Sequence, residues 1–461
     1  MTLSVRRWRA GIAVCLLAAS CSGNGNTGAE AGTADSGFAA DVADAIDGQT
    51  VADAAKDIGP PDAAEDTRTT DAPADTGATD LRPDGPVMDV PEDHSAPDAD
   101  DRASTDAPSD TAGPVTASDA REGGNDADPC AGCTFTKIAA DGIHLVHDAT
   151  RARLYVTQLS TAVRNPDTLA IIDLATASIT ANLPIGRDPR PLALSDDAST
   201  LWVGLSGDHA LRKVTLTGAA PSVGPLLPVP PEVINSMPFA TWPVALAVLP
   251  GSATTLVASI TSSGSSTRVY VFDDGVPRPT ITSSRDATAS RLAVGPPGYV
   301  FGYDSLSSGF GLSVFTVAAS GITLLSEHSG LIGGFEGFLV YDHGHLFSFY
   351  GEVVDVSDPT KPVRSGKFSH AGAIAVRDAN HVFMASPAFL IGEDVQKLRL
   401  YDTTTLTEVA SVTVPANLIP ATSMFTDLVY LGGDALAFIV DDYDNSNAVF
   451  IAHVPSLVEA R

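Results

Sequence analysis

The chain has 461 residues and a formal net charge of −29, unevenly spread: residues 22–129 hold 26 acidic against 5 basic side chains, leaving residues 130–461 at −11. An acidic surface of this size repels phosphate backbones and excludes nucleic acid as a partner. Its bland effect is to keep the chain soluble.

The first elements read as targeting signals. Arg6, Arg7 and Arg9 precede a short apolar run, Gly11 to Ala19. That run is too short to span a bilayer as a helix and has the pattern of an export signal. It ends Leu-Leu-Ala-Ala-Ser before Cys21. Small residues ahead of a cysteine match the bacterial lipobox, where the sulfur takes a diacylglycerol and the signal is cut just before it. Residues 1–20 are therefore expected to be a lipoprotein signal, and Cys21 the lipid anchor. An ordinary signal cut near Ala19 is the alternative, and the Arg6-Arg7 pair also suits the twin-arginine exporter. Ser22 rather than Asp after the cysteine favours the outer membrane. The expected location is the bacterial cell envelope, lipid-anchored, periplasmic or surface-exposed.

Residues 21–129 are rich in Ala, Asp, Thr and Pro, with Phe38 the one aromatic. Such a segment buries too little apolar area to offset the entropy of ordering it. Its like charges should extend it. It is expected to be a disordered tether. Cys130-Ala-Gly-Cys133 closes it. In an exported chain this pair is expected as a local disulfide. Its flanks read as linker and strand, not as the helix N-terminus of a redox motif, and no second ligand pair supports zinc. Redox and metal roles remain the alternatives.

From Thr134 onward the period-2 pattern dominates. Pro184 to Leu216 shows it best: a turn (Gly-Arg-Asp-Pro), an apolar strand, a tight turn (Asp-Asp-Ala-Ser), a buried strand (Leu-Trp-Val-Gly-Leu), a polar loop and an alternating strand. The phrase recurs in weaker form from residue 143 to the end. A four-stranded unit repeated every ~40 to 50 residues writes a β-propeller. The first blade spans Ile143–Ile185, and the second is Pro184–Leu216 with a Pro-rich connector at 219–243. Five more start near Pro243, Ser290, Gly337, Gly372 and Asp427. The last blade lacks its outer strand, and Thr134 to Ala139 is a strand left over. The economical solution is that this strand completes blade seven and closes the ring, removing edges that invite aggregation. The fold class is thus all-β, a single seven-bladed propeller over residues 130–461, with six or eight blades as alternatives.

The first blades resemble the YVTN-type propeller repeat of bacterial surface and periplasmic proteins, through Leu154-Tyr-Val-Thr157, Ala170–Leu174, Ile185–Pro189 and Leu192–Asp197. Val353–Pro362 resembles the related LVIVD repeat. Leu428–Phe438 is similar to the last blade of large secreted bacterial propellers. The resemblance covers roughly residues 138–461, implies the fold, and says little about function.

No nucleophile elbow, zincin motif or phosphate loop is present, and no cofactor is expected. His343-Gly-His345 has chelate spacing but sits where blade two has its turn, and is read as a turn. His144, His147 and His209 have no clustered partner in sequence. Asp441 to Asn447 resembles the start of a calcium loop without its sixth-position Gly or twelfth-position Glu, and is read as a solvated hairpin.

The function expected is binding or scaffolding through loops on one face, for an unidentified protein or glycan, by a monomer tied to the membrane through Cys21. Three middle-strand loops are long and polar: Gln158 to Thr168, Ser386 to Gln396 and Asp441 to Asn447. They fall on blades one, six and seven, neighbours once the ring closes. Arg164, Asn165, Arg187, Glu393, Asp394, Asp442 and Asp444 are the expected border of the site. The alternative is a lactonase-like hydrolase, or another periplasmic propeller enzyme such as an oxidoreductase, using the central channel.

Overall fold

The computed structural model describes Val115–Thr116, Cys130 and residues 132–459, apart from 264–265, 283–287, 336 and 443–446. The signal, Cys21 and nearly all of the tether lie outside the described residues. Six four-stranded antiparallel sheets follow one another, and a seventh combines the two ends of the propeller sequence. The strands of each blade are named a to d outward from the centre. The a strands of neighbouring blades pack on one another from blade 1 through blade 7 and back to blade 1, so the ring is closed. The molecule is a seven-bladed β-propeller.

Burial explains the pattern of the strands. Strand b of blade 2 (Thr200–Leu205) is buried throughout, and so is nearly all of strand b of blade 7 (Ala435–Asp441). Sheets on both sides cover these strands, so they read as continuous apolar runs and not as alternating ones. The d strands of blade 1 (Ser178–Pro184) and blade 2 (Ser222–Pro228) contain no buried residue. Between blades 5 and 6, Phe347, Phe368, Met384 and Tyr401 share one buried cluster.

Closure is made by Thr134–Ile138, which pairs antiparallel with strand c of blade 7, Ala448–His453. Alternate residues of this strand serve both faces. Phe135 packs with Phe425, Phe438 and Phe450, while Ile138 joins Ile439, Val449 and Ile451 against blade 1. Val115–Thr116 adds a short antiparallel pairing outside it. Cys130 and Cys133 are joined as a disulfide with Cα atoms 5.3 Å apart. Cys130 also meets Ser456 Oγ at 2.9 Å, beside the helix α2 described below. The chain then passes to blade 1 through Gly142, where a Cβ would lie 2.5 Å from Val156 Cγ1.

Two stretches differ from the sequence reading. The connector at 219–243 is not merely a connector. It supplies strand d of blade 2, in which Pro225 and Pro228 are tolerated because an outermost strand has a free edge. It then forms a separate hairpin, Glu232–Ile234 paired with Met237–Phe239. Two short helices also occur among the described residues: α1, Ala388–Ile391, inside the b–c loop of blade 6, and α2, Pro455–Glu459, at the end. No described helix is long and apolar enough to cross a membrane.

Candidate functional site

Alternating strand direction sends every b–c loop and every d–a connection out on one face of the ring, and the a–b and c–d turns out on the other. Arg164 and Asn165 lie in the b–c loop of blade 1, and Arg187 in the connection to blade 2. Glu393 and Asp394 lie in the b–c loop of blade 6, and Asp442 begins that of blade 7. All six are therefore on the same face; Asp444 is outside the described residues.

Bonds between side chains and backbone tie the loops of blades 7, 1 and 2 to the connections between them. Asn447 Nδ2 donates to Gly142 O (2.8 Å), and Arg164 N donates to Asp141 Oδ2 (2.9 Å). Asp188 N donates to Asp167 Oδ1 (2.8 Å), and Arg187 N to Asp208 Oδ2 (2.7 Å). Asn165, Asp167, Asp188 and His209 sit at φ of 47°, 62°, 51° and 53°. Asn, Asp and His tolerate this left-handed region better than other side chains. The backbones are thus held, while Arg164, Asn165, Arg187 and Asp394 stay exposed.

Glu393 behaves differently. Its Oε1 accepts from Arg399 Nη2 at 2.6 Å, and Lys397 Nζ lies 3.0 Å from Oε2. Arg399, on strand c (Lys397–Asp402), has a side chain only 2% exposed, and its Nη1 meets Glu408 Oε2 at 2.5 Å. Burial pushes the Glu393 carboxyl up, but the bonds from Lys397 and Arg399 outweigh it and hold it below the usual range. His370, in the connection from blade 5, faces the same group: Nδ1 lies 2.5 Å from Tyr401 Oη, and Nε2 lies 3.6 Å from Glu393 Oε1. Tyr401 Oη also meets Ser369 Oγ at 3.0 Å. Burial first, then the Arg399 charge, lowers the His370 pKa against the pull of Glu408 and Glu393. A neutral imidazole accepting from Tyr401 at Nδ1 puts its proton on Nε2, toward Glu393.

A pattern missed in the sequence becomes visible here. The third residue of strand c is Arg in blades 2, 3 and 6: Ala-Leu-Arg212, Ser-Thr-Arg268 and Lys-Leu-Arg399, with strands starting at Ala210, Ser266 and Lys397. Arg212 Nη1 donates to Ile185 O (2.8 Å), and Arg268 Nη2 pairs with Glu232 (2.9 Å). Each binds its c strand to a loop or connection on the b–c face. Aligning the c strands of the blades exposes the signal.

The histidines also find partners through the fold. His144 Nδ1 lies 3.8 Å from Asp427 Oδ2, across the junction of blades 1 and 7. Asp427 Oδ2 accepts from Leu145 N at 3.0 Å. His147 Nδ1 meets Tyr430 O at 3.2 Å, and burial lowers its pKa despite that bond and the charge of Asp148. His209 Nδ1 meets Thr241 O at 3.0 Å. His343 and Gly344, at φ of 41° and 81°, form a tight turn between strands a and b of blade 5. No group of three or more potential metal ligands occurs among the described residues.

Two clefts lie among the a–b turns of the opposite face. One, about 110 Å³, is lined by Asp196, Asp197 and Gly251–Ala253, and the other, about 220 Å³, lies between Pro250 and Tyr299. Both are smaller than the ~300 to 1,000 Å³ of small-molecule sites.

No protein-family model matches the sequence, and no curated protein matches it. The fold is similar to solved propeller structures. Hydrazine synthase of Kuenenia stuttgartiensis matches with TM-score 0.49 and 11% identity over 68% of this chain and 95% of that one. The β-propeller domain of Myceliophteria thermophila Cps50 (Swd1) matches with TM-score 0.47 and 9% identity over 68% of this chain and 98% of that one.

Proposed function

We propose that this chain is a lipid-anchored envelope protein of the YVTN and LVIVD-like propeller class, acting as a binding or scaffolding module through its b–c loop face. The observation that carries the reading is the lacing of the rim: loops of blades 7, 1 and 2 are hydrogen-bonded to the connections between them, with polar side chains left exposed. A rigid ring holds such loops ready for a partner without strain in the sheets. Arg164 and Arg187 on one side, with Asp394 and Asp442 on the other, suit a polar protein or glycan surface. The apolar run before Cys21 and the acidic tether support anchoring at a membrane.

A photo-crosslinking side chain placed in cells at Arg164 or Asp394 tests the reading, with Val276 on the opposite face as control. Adducts are expected from the first two positions alone. Adducts from Val276 alone, or from none of the three, overturn it.

A further inference from the structure

The hairpin between blades 2 and 3 carries a surface the polar rim does not explain. Val233, Ile234, Met237 and Phe239 are 58%, 44%, 58% and 43% exposed. Opposed residues of an antiparallel pair share a face, so Val233 with Pro238 lies on one side, and Ile234 with Met237 on the other. The finger is thus apolar on both faces. Val229 to Thr241 contains one charged residue, Glu232. That carboxylate is buried at the base, paired with Arg268 (2.9 Å) and accepting a hydrogen bond from Ser262 Oγ. Thr241 Oγ1 donates to Pro230 O at 2.7 Å and completes a fixed base. The tip, Asn235-Ser236, has φ of 51° and 64°, the tight turn that suits the twist of a two-residue hairpin. Val163 and Phe389, also exposed, stand in b–c loops of the same face.

We propose that this hairpin is a membrane-insertion finger that enters the interfacial layer of a lipid bilayer. Both faces decide the occupant. A folded partner would have to enclose the finger in an apolar cleft shaped to it, whereas an interfacial lipid layer covers both uncharged sides without one. The strands are three residues long, about 10 Å at ~3.3 Å per residue. That matches an interfacial depth of ~5–10 Å, and the open strand edges exclude deeper entry because hydrocarbon offers them no hydrogen bonds. With no Lys or Arg on the finger, binding is driven by apolar burial and requires no anionic lipid. The proposal deepens the reading above and rests on it for the tether, which holds the finger at high local concentration near the bilayer. The b–c loop face then looks toward the membrane, and the polar rim beside the finger meets a protein or glycan held at that same surface.

The test uses the full chain carrying Cys15→Ser, Cys21→Ser and Met237→Cys, labelled with an environment-sensitive fluorophore and mixed with phosphatidylcholine vesicles. Because Cys21 is absent, the result is independent of lipidation, which is tested separately. The emission is expected to shift to the blue and to be quenched more by nitroxide lipids labelled near the headgroup than by those labelled deep in the chain. The same label at Val276→Cys is expected to stay unshifted. Adding Val233→Asp, on the opposite side of the finger from the label, should raise the lipid concentration for half the shift by about tenfold or more. An unshifted label at 237, or equal shifts at both positions, overturns the proposal. A shift that grows with protein concentration without vesicles assigns the finger to contact between copies of this chain and overturns it too.

Discussion

Arg399 concentrates the energetics of the polar cluster formed by blade 6 and its connection from blade 5. It is buried between two carboxylates, and its fork reaches both. Arg399→Ala strands them and is expected to destabilise the fold by about 3 kcal/mol, the low end for breaking a buried pair because Glu393 and Glu408 are partly solvated. Arg399→Lys should recover only part of this, since one ammonium does not span both oxygens. Denaturant midpoints read both; a loss under 1 kcal/mol in the alanine variant would contradict the network. Two histidines, His370 in this cluster and His147 at the junction of blades 1 and 7, set a pH response. The pKa values of His370 and His147 are both lowered in the fold. As pH falls below about 6.5 the unfolded chain takes up these protons first, so stability declines until the folded groups titrate as well. The carboxyls of Glu393 and Asp402, held low, add stability above the carboxylate range and lose it only in stronger acid. Thermal midpoints from pH 7.5 to 5.5 should slope less in His370→Gln than in the parent, and equal slopes would remove His370 from the account. Neither effect was legible in the sequence. Glu393 reads as a loop carboxylate until Arg399, six residues on and across a turn, folds back against it.

Among elements, the strand Thr134–Ile138 has the largest role for its length. Phe135 is fully enclosed by blade 7, so Phe135→Ala should cost about 3 to 5 kcal/mol. Deleting residues 130–140 removes that packing and exposes the edge of Ala448–His453 as well. The expected result is loss of cooperative thermal unfolding, or aggregation. An unchanged transition would show that the ring does not depend on this strand. This element was legible because the count of strands left blade seven one short and one strand spare. The hairpin at 232–239 was not. Its prolines and short apolar pieces carry no period long enough to separate a paired turn from a plain connector.

At the scale of the whole chain, two expectations about anchoring are open to direct measurement. Cys21→Ser should move the protein from the detergent phase to a soluble fraction; unchanged partitioning would refute lipidation. Limited proteolysis should cut within residues 22–129 and leave a core beginning near Cys130, and a protected tether would refute the stalk. The strand alternation and the recurring phrase from Ile143 to the end by themselves determined an all-β propeller and pointed to seven blades closed by the N-terminal strand; the sheet order then fixed that count over six or eight. Those properties follow from the local period of burial and from the need to cover every sheet, and both are written residue by residue. Only the tertiary structure decided that Glu393 is held by Arg399 while Asp394 stays free. It alone set His144 beside Asp427, and raised Val233, Ile234, Met237 and Phe239 on a finger with no core to cover them. Such arrangements depend on which distant segments meet across blades, and spacing along the chain does not encode distance through the ring.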